Sequence, residues 1–70
     1  MDLQPAQCRA ARGLLDISQL RLAELAGVSV RTIAYFETGE RMSTPETRAA
    51  LRAALEAAGV QFLKDGVKLR

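Results

Sequence analysis

Seventy residues with a net charge of +2 make one small domain, and a chain this short hides only about 60% of the surface its unfolded form exposes. Most apolar side chains are therefore needed for the core, and a deep catalytic cavity is not expected. Histidine is absent and Cys8 is the single cysteine, which excludes histidine-ligated zinc, a histidine general base and an internal disulfide.

Hydrophobic residues make up 49% of the chain and aromatic ones 4%, with no tryptophan, so the core is expected to be aliphatic. The longest stretch without a charged residue, 57–63, falls far short of the about 20 apolar residues a spanning helix needs. Arg9 and Arg12 interrupt any apolar leader. A cytoplasmic (nucleoid-associated) location is expected, with no membrane contact, no cofactor and no small-molecule effector.

Helix signals divide the chain. Pro5 suits a first helical position, where the missing N–H has no partner to lose. It opens a first helix over 5–15, with Cys8, Ala11 and Leu15 at helical spacing and the stem of Arg12 beside them. Cys8 reads as a small core residue rather than a redox switch. Asp16 and Ile17 end the helix. Ser18 caps a second helix whose buried side is Leu22, Ala23 and Ala26. Gly27 supplies the left-handed turn that commonly follows a helix. Ser29 then caps a third helix, 30–38, closed by Gly39.

Residues 40–43 form a polar loop. Thr44-Pro45-Glu46 is the sharpest start in the chain: a hydroxyl cap, a proline at the first position and an acid at the positive end of the dipole. The fourth helix is predicted over 45–58. Thr47, Leu51, Ala54, Leu55 and Ala58 share one face, while Arg48, Arg52 and Glu56 face away. Beyond Gly59 the period changes. Val60, Phe62, Val67 and Leu69 alternate with polar residues around Asp65-Gly66, which reads as a hairpin turn. An isolated hairpin is marginal in water, so it must pack on the helices or pair with another chain. The expected organisation is a helical domain over 1–59 and a hairpin over 60–70.

The segment from Ser18 to Gly39 is a helix, a tight turn and a second helix, a layout that can offer the second helix to a DNA groove. Projection of residues 30–38 at about 100° per residue puts Val30, Arg31, Ala34, Tyr35 and Thr38 on one arc. Ile33 and Phe36 fall opposite, with Thr32 beside them. A plain solvated helix more often carries Glu, Lys and Gln on its outer arc. The planar fork of Arg31 suits guanine N7 and O6, and Val30 suits a thymine methyl. Tyr35 is placed to stack on a sugar or donate to a phosphate. The competing readings are a solvated charge for Arg31, edge packing for Tyr35 and packing on the second helix for Val30.

Charge does not add to this picture. Through Pro45, five basic residues (Arg9, Arg12, Arg21, Arg31, Arg41) meet five acidic ones (Asp2, Asp16, Glu24, Glu37, Glu40). The unit is neutral and has no basic patch. Lys64, Lys68 and Arg70 read as solubilising charges on an exposed hairpin edge.

Arg12, Ser18-Gln19, Leu22-Ala23, Gly27-Val28-Ser29, Thr32-Ile33, Glu37 and Gly39 together resemble the Cro and phage-repressor (XRE) helix-turn-helix family, over about residues 5–58. The resemblance implies a mainly α, compact four-helix, lambda-repressor-like domain, here with a short C-terminal β-hairpin where most members have a fifth helix. It implies sequence-specific binding of double-stranded DNA by a transcriptional regulator, the third helix in the major groove, as a homodimer on a two-fold operator.

Position by position, Val30, Arg31 and Tyr35 match base-reading residues. Gln19 matches a glutamine that clamps phosphate and braces the reading helix. Thr38, Arg41 and Ser43, with Ser29 and Thr32, match phosphate-contacting positions. Arg12 and Glu37 match a structural ion pair, which leaves Arg31 and Arg41, with Arg9 and Arg21, for the DNA side. Val60, Phe62, Val67 and Leu69 are the candidate dimer contact. A second reading is a protein-interaction module, such as an antitoxin or a coactivator-like adaptor. An enzyme has no support, since no paired-carboxylate pocket or phosphate-binding glycine loop is present.

Overall fold

Four helices and a hairpin follow one another in a computed structural model that describes residues 3–40 and 43–70. They are α1 (Pro5–Leu15), α2 (Gln19–Ala26), α3 (Val30–Thr38), α4 (Pro45–Ala57), β1 (Val60–Leu63) and β2 (Gly66–Leu69). Arg41, expected at a phosphate, lies outside the described residues.

The starts are made by the capping hydroxyls. Ser18 Oγ accepts the Arg21 N–H at 3.0 Å, Ser29 Oγ the Thr32 N–H at 3.1 Å, and Thr44 Oγ1 the Thr47 N–H at 3.1 Å. Each such cap typically contributes about 1 kcal/mol. Pro5 and Pro45 stand at the first helical positions. The start of α1 has one further device: the Gln7 side chain reaches back to accept the Gln4 N–H at 2.8 Å, as in a capping box.

The ends of α2 and α3 need a left-handed residue, and Gly27 (φ 73°) and Gly39 (φ 76°) supply it without a Cβ penalty. Asp16 does the same after α1 at φ 55°, a conformation aspartate tolerates better than most residues. The fourth helix stops at Ala57, one residue short of the periodicity, because the Ala58 N–H is shared between Ala54 and Leu55 carbonyls in a tightened last turn.

The core draws on every element. Leu3, Cys8, Ala11, Leu22, Ala23, Ile33, Phe36, Leu51, Leu55 and Val60 are buried, and Leu15, Ile17, Ala26, Val28, Ala54, Phe62 and Val67 pack against them. Leu3, just ahead of the first helix, carries no periodic signal and was not expected there.

The hairpin corrects two expectations. Its register pairs Val60 with Leu69, Gln61 with Lys68, Phe62 with Val67 and Leu63 with Gly66. The turn is therefore Lys64-Asp65, and Gly66 is the first residue of β2. None of the three has a positive φ, so the mirror-image turn that favours Asp-Gly is not used. Turning at Asp65-Gly66 would set Lys64 opposite Val67 on the face toward the helices; the observed register puts Phe62 there and leaves Lys64 in solvent. Val60 was expected at a dimer contact, yet it is 1% exposed and belongs to the core of its own chain. The alternation of strand residues marks an inner face, and that face is filled by this chain's helices.

Removing residues 60–70 is therefore expected to strip apolar contacts from the helical core and lower the urea midpoint, followed by far-ultraviolet circular dichroism. An unchanged midpoint would show the hairpin to be a dispensable arm.

Candidate nucleic-acid interface

The helix α3 is divided lengthwise. Ile33, Phe36 and Glu37 are buried. On the opposite side Val30, Arg31 and Thr38 are exposed, and Ala34 and Tyr35 are half-buried. A three-residue turn, Gly27-Val28-Ser29, joins it to α2. The result is a ridge on which Val30 and Arg31 are exposed and Tyr35 is half-buried.

The other expected contact residues are placed less uniformly. Ser29 and Thr32 sit together at the N-terminal end of α3, their hydroxyls 2.8 Å apart. Thr38, at the far end, donates its hydroxyl back to the carbonyls of Ala34 and Tyr35 at 3.1 and 3.2 Å. Ser43 is half-buried, and its carbonyl and its Oγ both accept from Arg48 Nη1. Gln19 begins α2.

What orients the ridge is a buried polar cluster around Glu37, whose side chain is 2% exposed. Arg12 grips the carboxylate with two bonds, Nη2 to Oε1 at 2.6 Å and Nε to Oε2 at 2.7 Å. Gln19 Nε2 donates to Oε1 at 3.0 Å, and the Cys8 thiol donates to Oε2 at 3.1 Å. Arg12 Nη1 also reaches the Ile17 carbonyl at 3.2 Å. Arg9 Nη1 donates to the backbone carbonyl of Glu37. One acidic side chain thus joins α1, the start of α2 and the end of α3, and Arg12 extends the tie to the α1–α2 link.

Burial alone would push the Glu37 carboxyl up. The hydrogen bonds from Arg12, Gln19 and Cys8 outweigh it and hold the group below the usual carboxylate range. Arg12 is pushed up, chiefly by its hydrogen bonds to Glu37. Burial pushes the Cys8 thiol up as well, and its bond to Glu37 adds to the effect, so it stays protonated and remains a donor.

The Arg12–Glu37 pair follows the family pattern. The roles of Cys8 and Arg9 were not foreseen. Cys8 and Arg12 are four apart on one side of α1, but nothing in a local pattern says which distant acid they will meet. Arg9 has a partner that the sequence did not name: exposed itself, it donates to a carbonyl near the negative end of the α3 dipole. Arg21 pairs with Glu24 at 3.4 Å, both well exposed, an arrangement that contributes little.

Two helices joined by a short glycine-containing turn, the second with Val30 and Arg31 exposed on its outer side, define a helix-turn-helix protein. The helix-turn-helix family model matches residues 9–60. The chain belongs to that family, in its XRE, Cro/repressor-type branch, and is a DNA-binding protein of the transcription-regulator class. Comparison with curated proteins gave no match. Among the described residues, no helix is long and apolar enough to cross a membrane.

The lowered Glu37 value sets a pH dependence. A carboxyl depressed in the folded state contributes stability in full above its ordinary value of 4.5, and that contribution is lost as pH falls through the folded value. Urea unfolding measured down to acid pH is expected to show stability falling below that point. Glu37→Gln strands a largely buried guanidinium, so it should cost about 3–5 kcal/mol at neutral pH and flatten the acid limb. A wild-type acid limb retained in the variant would assign it to other carboxyls.

Proposed function

We propose that the chain is a sequence-specific transcriptional regulator that places α3 in the major groove and works as a homodimer on a two-fold-symmetric operator. The observation that carries this is the outward side of α3, with Val30 and Arg31 exposed and Tyr35 half-buried beside them, on a helix whose other side is locked into the core. Arg31 reads guanine through its fork and Val30 a thymine methyl. Tyr35 contacts sugar or phosphate. Gln19, with the N-terminal end of α2, grips a phosphate. Ser29, Thr32, Thr38 and Ser43 border the same approach, as Arg41 does in the family pattern.

Dimension supports two copies. The domain's longest extent is 28 Å, less than the about 34 Å between half-sites one helical turn apart. A single module of this kind buries only about 600–1,000 Å². The remaining candidates for the dimer contact are Phe62, Val67 and Leu69, of which Leu69 is the most exposed, at 49%. The interaction-module reading keeps one observation in its favour: Leu14, Leu20 and Leu25 are exposed on α1 and α2.

Selection of bound duplexes from a random pool is expected to return a two-fold-symmetric motif. Arg31→Ala should lose about 1–3 kcal/mol of discrimination at one base pair per half-site. Affinity should fall with salt at about −0.9 in the log–log slope per phosphate contact. Absence of binding to any duplex at low salt would hand the chain to the interaction-module reading.

Mass by light scattering is expected to rise with concentration from 7.6 kDa toward twice that value. Leu69→Lys should hold it at the monomer mass without unfolding the core. A wild type that stays monomeric at all concentrations, with or without duplex, would end the dimer proposal.

A further inference from the structure

The Glu37 carboxylate has two flanks, and different elements occupy them. Arg12 takes the middle with a bond to each oxygen. Beyond it, Gln19 from the start of α2 closes the Oε1 side at 3.0 Å, and Cys8 from α1 closes the Oε2 side at 3.1 Å. A guanidinium fork fixes the plane of a carboxylate, and donors on opposite sides fix its tilt within that plane. Cys8 is completely buried, so its thiol cannot turn to water instead.

We propose that Cys8 is a positioning residue for the DNA-backbone grip: its thiol holds the Glu37 carboxylate at the tilt that keeps the Gln19 amide still at the start of α2. This rests on the reading of Gln19 as a phosphate contact. Without the thiol donor, the outer lone pair of Oε2 is buried and unmet. The carboxylate then re-tilts toward its remaining donors, and the Gln19 bond on the other oxygen loosens. A loosened glutamine must be immobilised again on binding phosphate, which weakens affinity by about two- to tenfold. The contact is to backbone, so the loss is the same for all DNA sequences.

The test uses the whole chain with Cys8→Ser, which still donates, and Cys8→Ala and Cys8→Val, two non-donors smaller and larger than cysteine. The first readout is the NMR order parameter of the Gln19 side-chain amide in the free protein, which needs no DNA. The second is affinity for a random-sequence duplex at low salt. Both non-donors should lower the order parameter and weaken binding about two- to tenfold, and Cys8→Ser should keep both near wild type. In a Gln19→Ala background, the non-donors should cause no further loss of affinity.

An unchanged Gln19 order parameter in the non-donors overturns the proposal, as does an equal affinity loss with Gln19 absent. A rescue that fails in Cys8→Ser while the protein stays folded overturns it too. If the order parameter responds as expected but no duplex binds to wild type, the DNA reading falls and the Cys8 role in DNA contact falls with it. That pattern is distinct from an unresponsive glutamine.

Discussion

The arrangement of the three N-terminal helices depends on one buried carboxylate. Taking a charge out of water is costly unless it is paired and hydrogen-bonded, and Glu37 meets that condition with donors from Arg12, Gln19 and Cys8. An apolar cluster of the same volume would stabilise the domain about as well. What it would lack is direction. Apolar contacts tolerate small rotations of a helix, whereas a carboxylate with four fixed donors does not. In a domain whose core contains so few large side chains, that directional constraint sets the heading of α3.

The same economy governs charge. With no excess of positive charge through Pro45, long-range attraction to phosphate is weak. Arg12 and Arg9 are both committed to the α3 helix, one to a side chain and one to a carbonyl. The interface therefore relies on placing a few donors well rather than on a strong field. Preorganisation has more leverage under that condition, since each contact contributes a larger share of the affinity. A rigid brace beneath a nearly neutral reading surface is physically consistent.

Local chemistry made most of the fold legible in the sequence. Ser18, Ser29 and Thr44 cap as their hydroxyls suggest, Pro5 and Pro45 open helices, and Gly27 and Gly39 close them, because each of these devices acts within about four residues. The division of α3 followed from its period, with Ile33 inward and Arg31 outward. The misses are non-local. The hairpin register was misplaced because the pairing of Phe62 with Val67 is decided by the helices beneath it, not by the Asp-Gly dipeptide. Val60 was assigned outward because alternation marks an inner face without naming what fills it. Leu3, Arg9 and Cys8 find partners that no local pattern specifies. For the candidate site, the Arg12–Glu37 pair and the bracing Gln19 came from family resemblance rather than from spacing, and the geometry adds the Cys8 donor that resemblance did not supply.

The hairpin's geometry also bears on how two copies would meet. Its strands are four residues each, and Val60 is spent on the core. Lys64, Lys68 and Arg70 crowd the hairpin with like charge, a common guard against edge pairing. What is left for a contact, chiefly Leu69 and half-buried Phe62 and Val67, is few apolar side chains set against the about 1,200 Å² that a stable interface typically buries. Such a pair gains most of its stability when both copies sit on one duplex, where the second binds at a high effective concentration. On the proposed dimer reading, occupancy of a two-site operator would then rise steeply with protein concentration. In that reading a weak self-contact and a neutral reading unit would act together, since neither would favour binding away from a properly spaced pair of half-sites.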